Sequence, residues 1–257
     1  MSAVYKRELA SYFRSPVGYV ALALFSFLSG FVFINQYSNG SVNISSEIMS
    51  LCSFFVVIIP VITMGLFSED KKRGTEVLFY TNPVSMFDVV LGKFLAAMTL
   101  IAILFLNVIV HMIITAFSGG VVNIGSWGSV IVFFCLAVLF TSIGILASAL
   151  TDTQIISAII SFVLILVIQL LQTISTLASS ALYSLLSSSM LSLDTEKINT
   201  VCSNTAAAIS WLSPFSKTQD FRYGVFSISP LVYCVSMALV FLFLTYRILE
   251  KKRWSQN

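Results

Sequence analysis

Charge is what this sequence has least of. Of its 257 residues, 10% are Asp, Glu, Lys or Arg and 58% are hydrophobic, against about 25% charged and roughly 45–50% apolar in an ordinary soluble domain. A soluble globule is excluded. The few charges are also clustered, leaving residues 15 to 46, 48 to 68, 94 to 151 and 153 to 193 with none. Histidine is nearly absent, His111 being alone, and no HExxH occurs. Of the four cysteines, Cys52, Cys135 and Cys234 sit in apolar runs and Cys202 in a polar stretch, so there is no CxxC metal pair and no disulfide framework. Metalloenzyme and intramembrane protease chemistry therefore lack their parts. A phosphate-binding loop needs GxxxxGK[ST], and the nearest match, Gly120 to Ser126, has serine where the lysine must be. A net charge of +3 is too small to suggest a nucleic-acid partner.

What is present is a set of apolar runs, and roughly 18 or more such residues read as a membrane span. The first, about 17–35, is too long for a signal-peptide core and no small-residue cleavage site follows it. The second is about 48–67. Residues 94 to 151 are too many for one crossing, and Ser118-Gly119-Gly120 with Asn123, Gly125 and Gly128 marks a turn between spans at 94–117 and 129–150. A fifth runs over 154–173 and a sixth over 230–246. The stretch Ile174 to Leu193 is uncharged but rich in serine, with Ile174, Leu177, Ala178, Ala181, Leu182, Leu185 and Leu186 at helical spacing. It reads as an amphipathic surface or re-entrant helix at the start of an outer segment, 174–229. The fold expected is a single all-α membrane domain with six transmembrane helices, an N-terminal interfacial helix and a loop at 68–93.

Six spans place both termini on one side. The basic clusters Lys6, Arg7, Arg14; Lys71, Lys72, Arg73, Lys93; and Arg247, Lys251, Lys252, Arg253 then share a face. The excess of Lys and Arg makes that face cytoplasmic, and the expected location is the cytoplasmic membrane of a bacterium. On it, Tyr5, Leu9, Tyr12, Phe13 and Pro16 recur at helical spacing opposite Arg7, Ser11 and Arg14, the pattern of a helix lying in the bilayer interface. Lys6, Arg7, Glu8 and Arg14 of that helix either anchor it to anionic lipid or dock a cytoplasmic partner.

The loop from Ser68 to Lys93 carries a charge run, then Gly74-Thr75, with Thr75 placed to cap a one- to two-turn helix from Glu76 to Tyr80. Asn82-Pro83 stops that helix, and Ser85 with Asp88 forms a capping-box start for the third span. Val77, Leu78, Phe79 and Tyr80 are thus expected on a charged stalk, where exposed apolar groups mark a contact site or lie back on the bilayer. Inside the spans so bounded there is no acidic residue. Ion-coupled carriers usually keep one, so the energy for any transport is expected from outside the membrane. Asn107, His111 and Thr115 form a stripe on span three, and Gln169 and Gln172 lie near the far end of span five. These either line a pathway or hydrogen-bond between helices. Gly144 and Ser148 form a small-xxx-small pair suited to close helix packing.

The run Glu69 to Lys93, with Gly74-Thr75-Glu76, Thr81-x-Pro83 and Gly92-Lys93, resembles the loop between spans two and three of ABC-2 type transporter permeases, most closely the gliding-motility-type branch. Lys6-Arg7-Glu8-Leu9 with Tyr12-Phe13-x-Ser15-Pro16, Leu212-Ser213-Pro214-Phe215 with Phe221-x-x-Gly224, and Thr245-Tyr246-Arg247 through Arg253 extend the resemblance along the chain. It implies that residues 74 to 80 form the coupling helix, seated in a separate ABC ATP-binding subunit. ATP and magnesium would be held by that subunit and no cofactor by this chain. A second permease copy or related chain would pair with it, and an extracytoplasmic accessory protein could join. The alternative is a membrane scaffold or sensor of an ABC-type complex whose spans anchor the 174–229 segment.

Overall fold

The structure, a computed structural model of the chain, describes residues 1–40, 42–76, 85–118, 122–187, 195–223 and 227–255. Among them the chain is helical throughout. Helix α1 (Ser2–Arg14) ends at Ser15, whose backbone is extended, and α2 (Pro16–Ser38) begins with proline at its first position. The residue before a proline is pushed out of helical geometry, so the two helices meet at a corner. That corner is tight: a Cβ at Gly18 would collide with the Tyr12 carbonyl.

The second span is broken. Helix α3 (Ile44–Ser53) opens on Asn43, whose side chain accepts from Ser46 N–H at 3.2 Å, and α4 (Phe55–Thr63) follows after Phe54. The path bends by 54° there. Phe54 N–H bonds the Leu51 carbonyl in a tightened turn, and the Cys52 and Ser53 carbonyls at the break accept from Gln169 Nε2 at 3.4 and 3.1 Å. After α4 the chain loosens again over Met64–Phe67 before the short α5 (Ser68–Lys72). Ser148 fills this second gap, donating to Met64 O at 3.1 Å and accepting from the N–H groups of Phe67 and Ser68.

Four long helices complete the bundle: α6 (Met86–Phe117), α7 (Ile124–Leu150), α8 (Gln154–Leu186) and, after α9 (Thr195–Trp211), α10 (Pro214–Lys217) and a 3₁₀ turn (Gln219–Tyr223), α11 (Ile228–Ser255). With α2 these give five helices long and apolar enough to cross a membrane, or six crossings when the bent pair counts as one. The all-α membrane fold expected from the sequence is the fold observed. Its centre is α7, 78% buried along its apolar window where the other spans reach 39% at most. Phe133 of α7 receives the rings of Phe25 from α2, Phe55 from α4 and Phe105 from α6. In lipid, apolar burial alone does not favour helix association, so close packing must supply it. Gly144 does this, since a Cβ there would overlap Thr63 of α4.

One expected element is corrected. Residues 174 to 186 are no separate surface or re-entrant helix but the continuation of α8, which runs unbroken to Leu186. The serine and threonine hydroxyls bond carbonyls three residues back, Thr176 to Thr173, Ser180 to Leu177 and Ser184 to Ala181, so polar side chains are satisfied without ending the helix. At 1.5 Å per residue α8 is about 50 Å long, against about 30 Å of hydrocarbon, and α9 packs back along it.

Candidate functional site

The sequence directs attention to the end of the bundle that carries both termini, and the structure gathers there the groups it names. Helix α1 is docked, not loose. Tyr12 OH donates to Ile62 O at 2.8 Å, Tyr5 OH meets Thr99 Oγ1 at 3.0 Å, and Val4 lies against Gly92 where a Cβ would be pressed at 3.2 Å. Between α1, α5 and α6 lies an ionic joint. Lys93 Nζ, fully buried, donates to Glu8 Oε1 at 3.0 Å and to Asp70 Oδ2 at 2.6 Å, and also to the Leu66 carbonyl. Arg7 closes the ring, bonding Glu8 at 2.6 Å and Asp70 at 3.3 Å. Buried charge is tolerated when it is paired and its hydrogen bonds are filled, and each of these groups has at least two partners.

Thr75 belongs to the same joint. Its hydroxyl donates to Asp70 Oδ1 at 2.8 Å; in the described residues it reaches back to the charge run, and Arg73–Glu76 form a turn in which Gly74 takes a φ of +69°. Glycine adopts that conformation without steric cost. Val77, Leu78, Phe79 and Tyr80 lie outside the described residues, as does Pro83. Ser85 stands at the N-cap of α6 and Asp88 in its first turn, but the Ser85 side chain makes no cap bond, so the expected capping box is not formed.

The electrostatics follow from this geometry. Burial opposes ionisation of Asp70, yet Lys93, the Thr75 hydroxyl and Arg7 together hold its carboxyl below the ordinary value. Burial likewise opposes the charge on Arg7, and Glu8 and Asp70 overcome it, raising its pKa. Lys71 donates to the carbonyls of Ala149 and Thr151 at the end of α7, at 2.5 and 2.8 Å, a favourable place for a cation. Burial and then the neighbouring Lys252 ammonium nevertheless push Lys71 down to about 8, with Asp152 working the other way. A cavity of about 410 Å³ opens beside the joint, lined among others by Arg7, Arg14, Glu69, Asp70, Arg73 and Thr75. Lys6 and Arg14 are exposed, whereas Glu8 is turned inward onto Arg7 and Lys93.

The polar residues expected along a pathway are not brought together. Asn107 and Thr115 bond carbonyls of their own helix, Leu104 and His111 respectively. Gln169 caps the break in span two, and Gln172 accepts from the exposed Gln219 at 3.4 Å. Within the α6 stripe, His111 reaches another helix, placing Nδ1 2.5 Å from Glu47 Oε1. Glu47 is fully buried in α3, which corrects the expectation of a membrane interior without acid: the helix that opens the second span begins at Ile44, before the apolar run, and takes Glu47 in. The signal was visible, for Glu47 is the one charge between residues 15 and 68. Lys93 was visible as a basic residue but not as a buried one.

A protein-family model described as ABC-2 family transporter protein matches residues 2–254. The chain belongs to that family. It is a membrane permease component of an ABC transporter, and the ionic joint lies at the root of the loop that the sequence marks for contact with a partner. Comparison with curated proteins finds no match.

Proposed function

We propose that this ABC-2 family member is the permease subunit of an ATP-driven exporter, moved by a separate ATP-binding subunit that grips the loop at residues 74 to 80. The observation that carries the reading is the ionic joint: Asp70, four residues before Gly74 and five before Thr75, is bonded to Thr75 and to Lys93 and Arg7. A displacement at Thr75 would therefore be passed through Asp70 to α1 and α6 together. The lack of a phosphate-binding motif in the sequence supports a partner that holds ATP and magnesium. The basic clusters support a cytoplasmic-membrane location with both termini in the cytoplasm. The motifs favour the gliding-motility-type branch and pairing with a second permease chain.

The test is co-purification with an ABC ATP-binding subunit, comparing wild type with a Leu78→Asp, Phe79→Asp double variant. Loss of the complex supports the reading, and unchanged association removes the coupling role from the loop. ATP hydrolysis stimulated in reconstituted vesicles would further separate a permease from a membrane scaffold.

A further inference from the structure

The pair formed by Glu47 and His111 has no part in the coupling described above. It joins three helices. His111 of α6 contacts Glu47 of α3 at 2.5 Å, and Ser29 of α2 lies 3.4 Å from His111 Nδ1 and 3.5 Å from Glu47 Oε1. Phe33 of α2 stacks on the imidazole, centroids 4.2 Å apart and planes 13° from parallel. Glu47 is fully enclosed, and its second oxygen, Oε2, has no hydrogen-bond partner.

Among the described residues, the elements packed around the pair bring no further charge. On α2 the titratable group nearest is Tyr37, whose ring meets Phe33; α3 adds the buried thiol of Cys52, α7 that of Cys135, and α4 nothing. Lys93 lies 18 residues back along α6, about 27 Å at 1.5 Å per residue. With one proton between carboxylate and imidazole the pair is neutral, whichever group holds it. Removing that proton leaves a buried carboxylate, and adding another leaves a buried imidazolium. Each isolated ion is costly in a low-dielectric interior.

We propose that Glu47 and His111 form a proton-binding site inside the bundle, in which one shared proton holds α2, α3 and α6 together and whose loss or doubling releases α3 about the break at Phe54. The enclosure of Glu47 and the ring of Phe33 flat on the imidazole make a proton the ligand that enters without rearrangement. The bare Oε2 is the atom that takes a second one. His111 lies six residues from the end of α6, about 9 Å, so the aqueous face opposite the termini is the short route for exchange.

The test is the thermal midpoint of the purified full chain in lipid nanodiscs from about pH 5 to about pH 8, where imidazole ordinarily titrates. Wild type is expected to give a plateau. Glu47→Gln leaves His111 alone and should lose stability toward acid; His111→Gln leaves Glu47 alone and should lose it toward alkali. The double variant, neutral at every pH, should be flat. Opposite tilts of the two single variants support the site, while profiles parallel to wild type, or tilting the same way, overturn it. If a single variant does not assemble, infrared difference spectra between neutral pH and acid beyond the plateau, where the second proton enters, decide the matter. A carboxyl band in wild type that is missing from the double variant supports the site, and identical spectra overturn it. Neither readout needs an ATP-binding partner, so failure here is distinct from failure of the coupling role.

Discussion

Lys93 shows how far a single residue's surroundings can depart from its place in the sequence. Counted along the chain it is one more cation in a basic loop; in space it is fully buried, with two carboxylates within 3.0 Å. Those partners are 85 and 23 residues away, and no local pattern announces them. Removing one member of a buried ionic set strands the rest, a loss of about 3–5 kcal/mol. Lys93→Met should therefore lower the thermal midpoint strongly, and Lys93→Met combined with Asp70→Asn and Glu8→Gln should recover part of the loss; an additive decline would show that the joint is not a unit. Asp70 also predicts a pH dependence. Its folded pKa lies below its unfolded value, so its contribution is complete above the unfolded pKa and disappears as pH falls through the folded one. Acid titration of stability should show this loss in wild type and not in Asp70→Asn.

At the scale of elements, the broken second span was hidden and the close approach of α4 and α7 was not. Residues 48 to 67 read as one apolar run, because hydropathy does not register a bend whose carbonyls are satisfied by Gln169, 116 residues on. Gly144 and Ser148, by contrast, carry their message locally: small residues four apart allow helices to touch. The structure adds what they touch, Thr63 at Gly144 and the Met64–Phe67 gap at Ser148. Gly144→Val should push α4 off α7, costing about 1–3 kcal/mol in overpacking, read as a lower thermal midpoint in detergent. Thr63→Ala in the same chain should return part of it, and a Gly144→Val variant as stable as wild type would contradict the packing.

For the molecule as a whole, the count of crossings was legible because charge-free runs measure membrane thickness directly, and the end of α8 was not because the serines and threonines that suggest a break bond carbonyls of their own helix. Orientation remains a matter of charge placement and can be measured. The four native cysteines are buried, so an introduced thiol reports with little background. A membrane-impermeant reagent should reach Ser203→Cys in intact cells and Lys72→Cys only after permeabilisation; the reverse pattern would invert the topology.

The length of α8 has one more effect. Its outward stripe of Ile156, Ile159, Val163, Val167, Leu170, Ile174, Leu177 and Leu185 stays apolar over nearly the full helix, far more than one bilayer thickness. A thicker or thinner membrane thus meets much the same surface, and hydrophobic mismatch at this helix is small. Vertical position must be set elsewhere, and Lys217, held 4.2 Å over Trp211 and 4.1 Å over Tyr233, has the aromatic and cationic make-up of an interfacial anchor. A helix so long and so evenly apolar accepts bilayers of unequal depth.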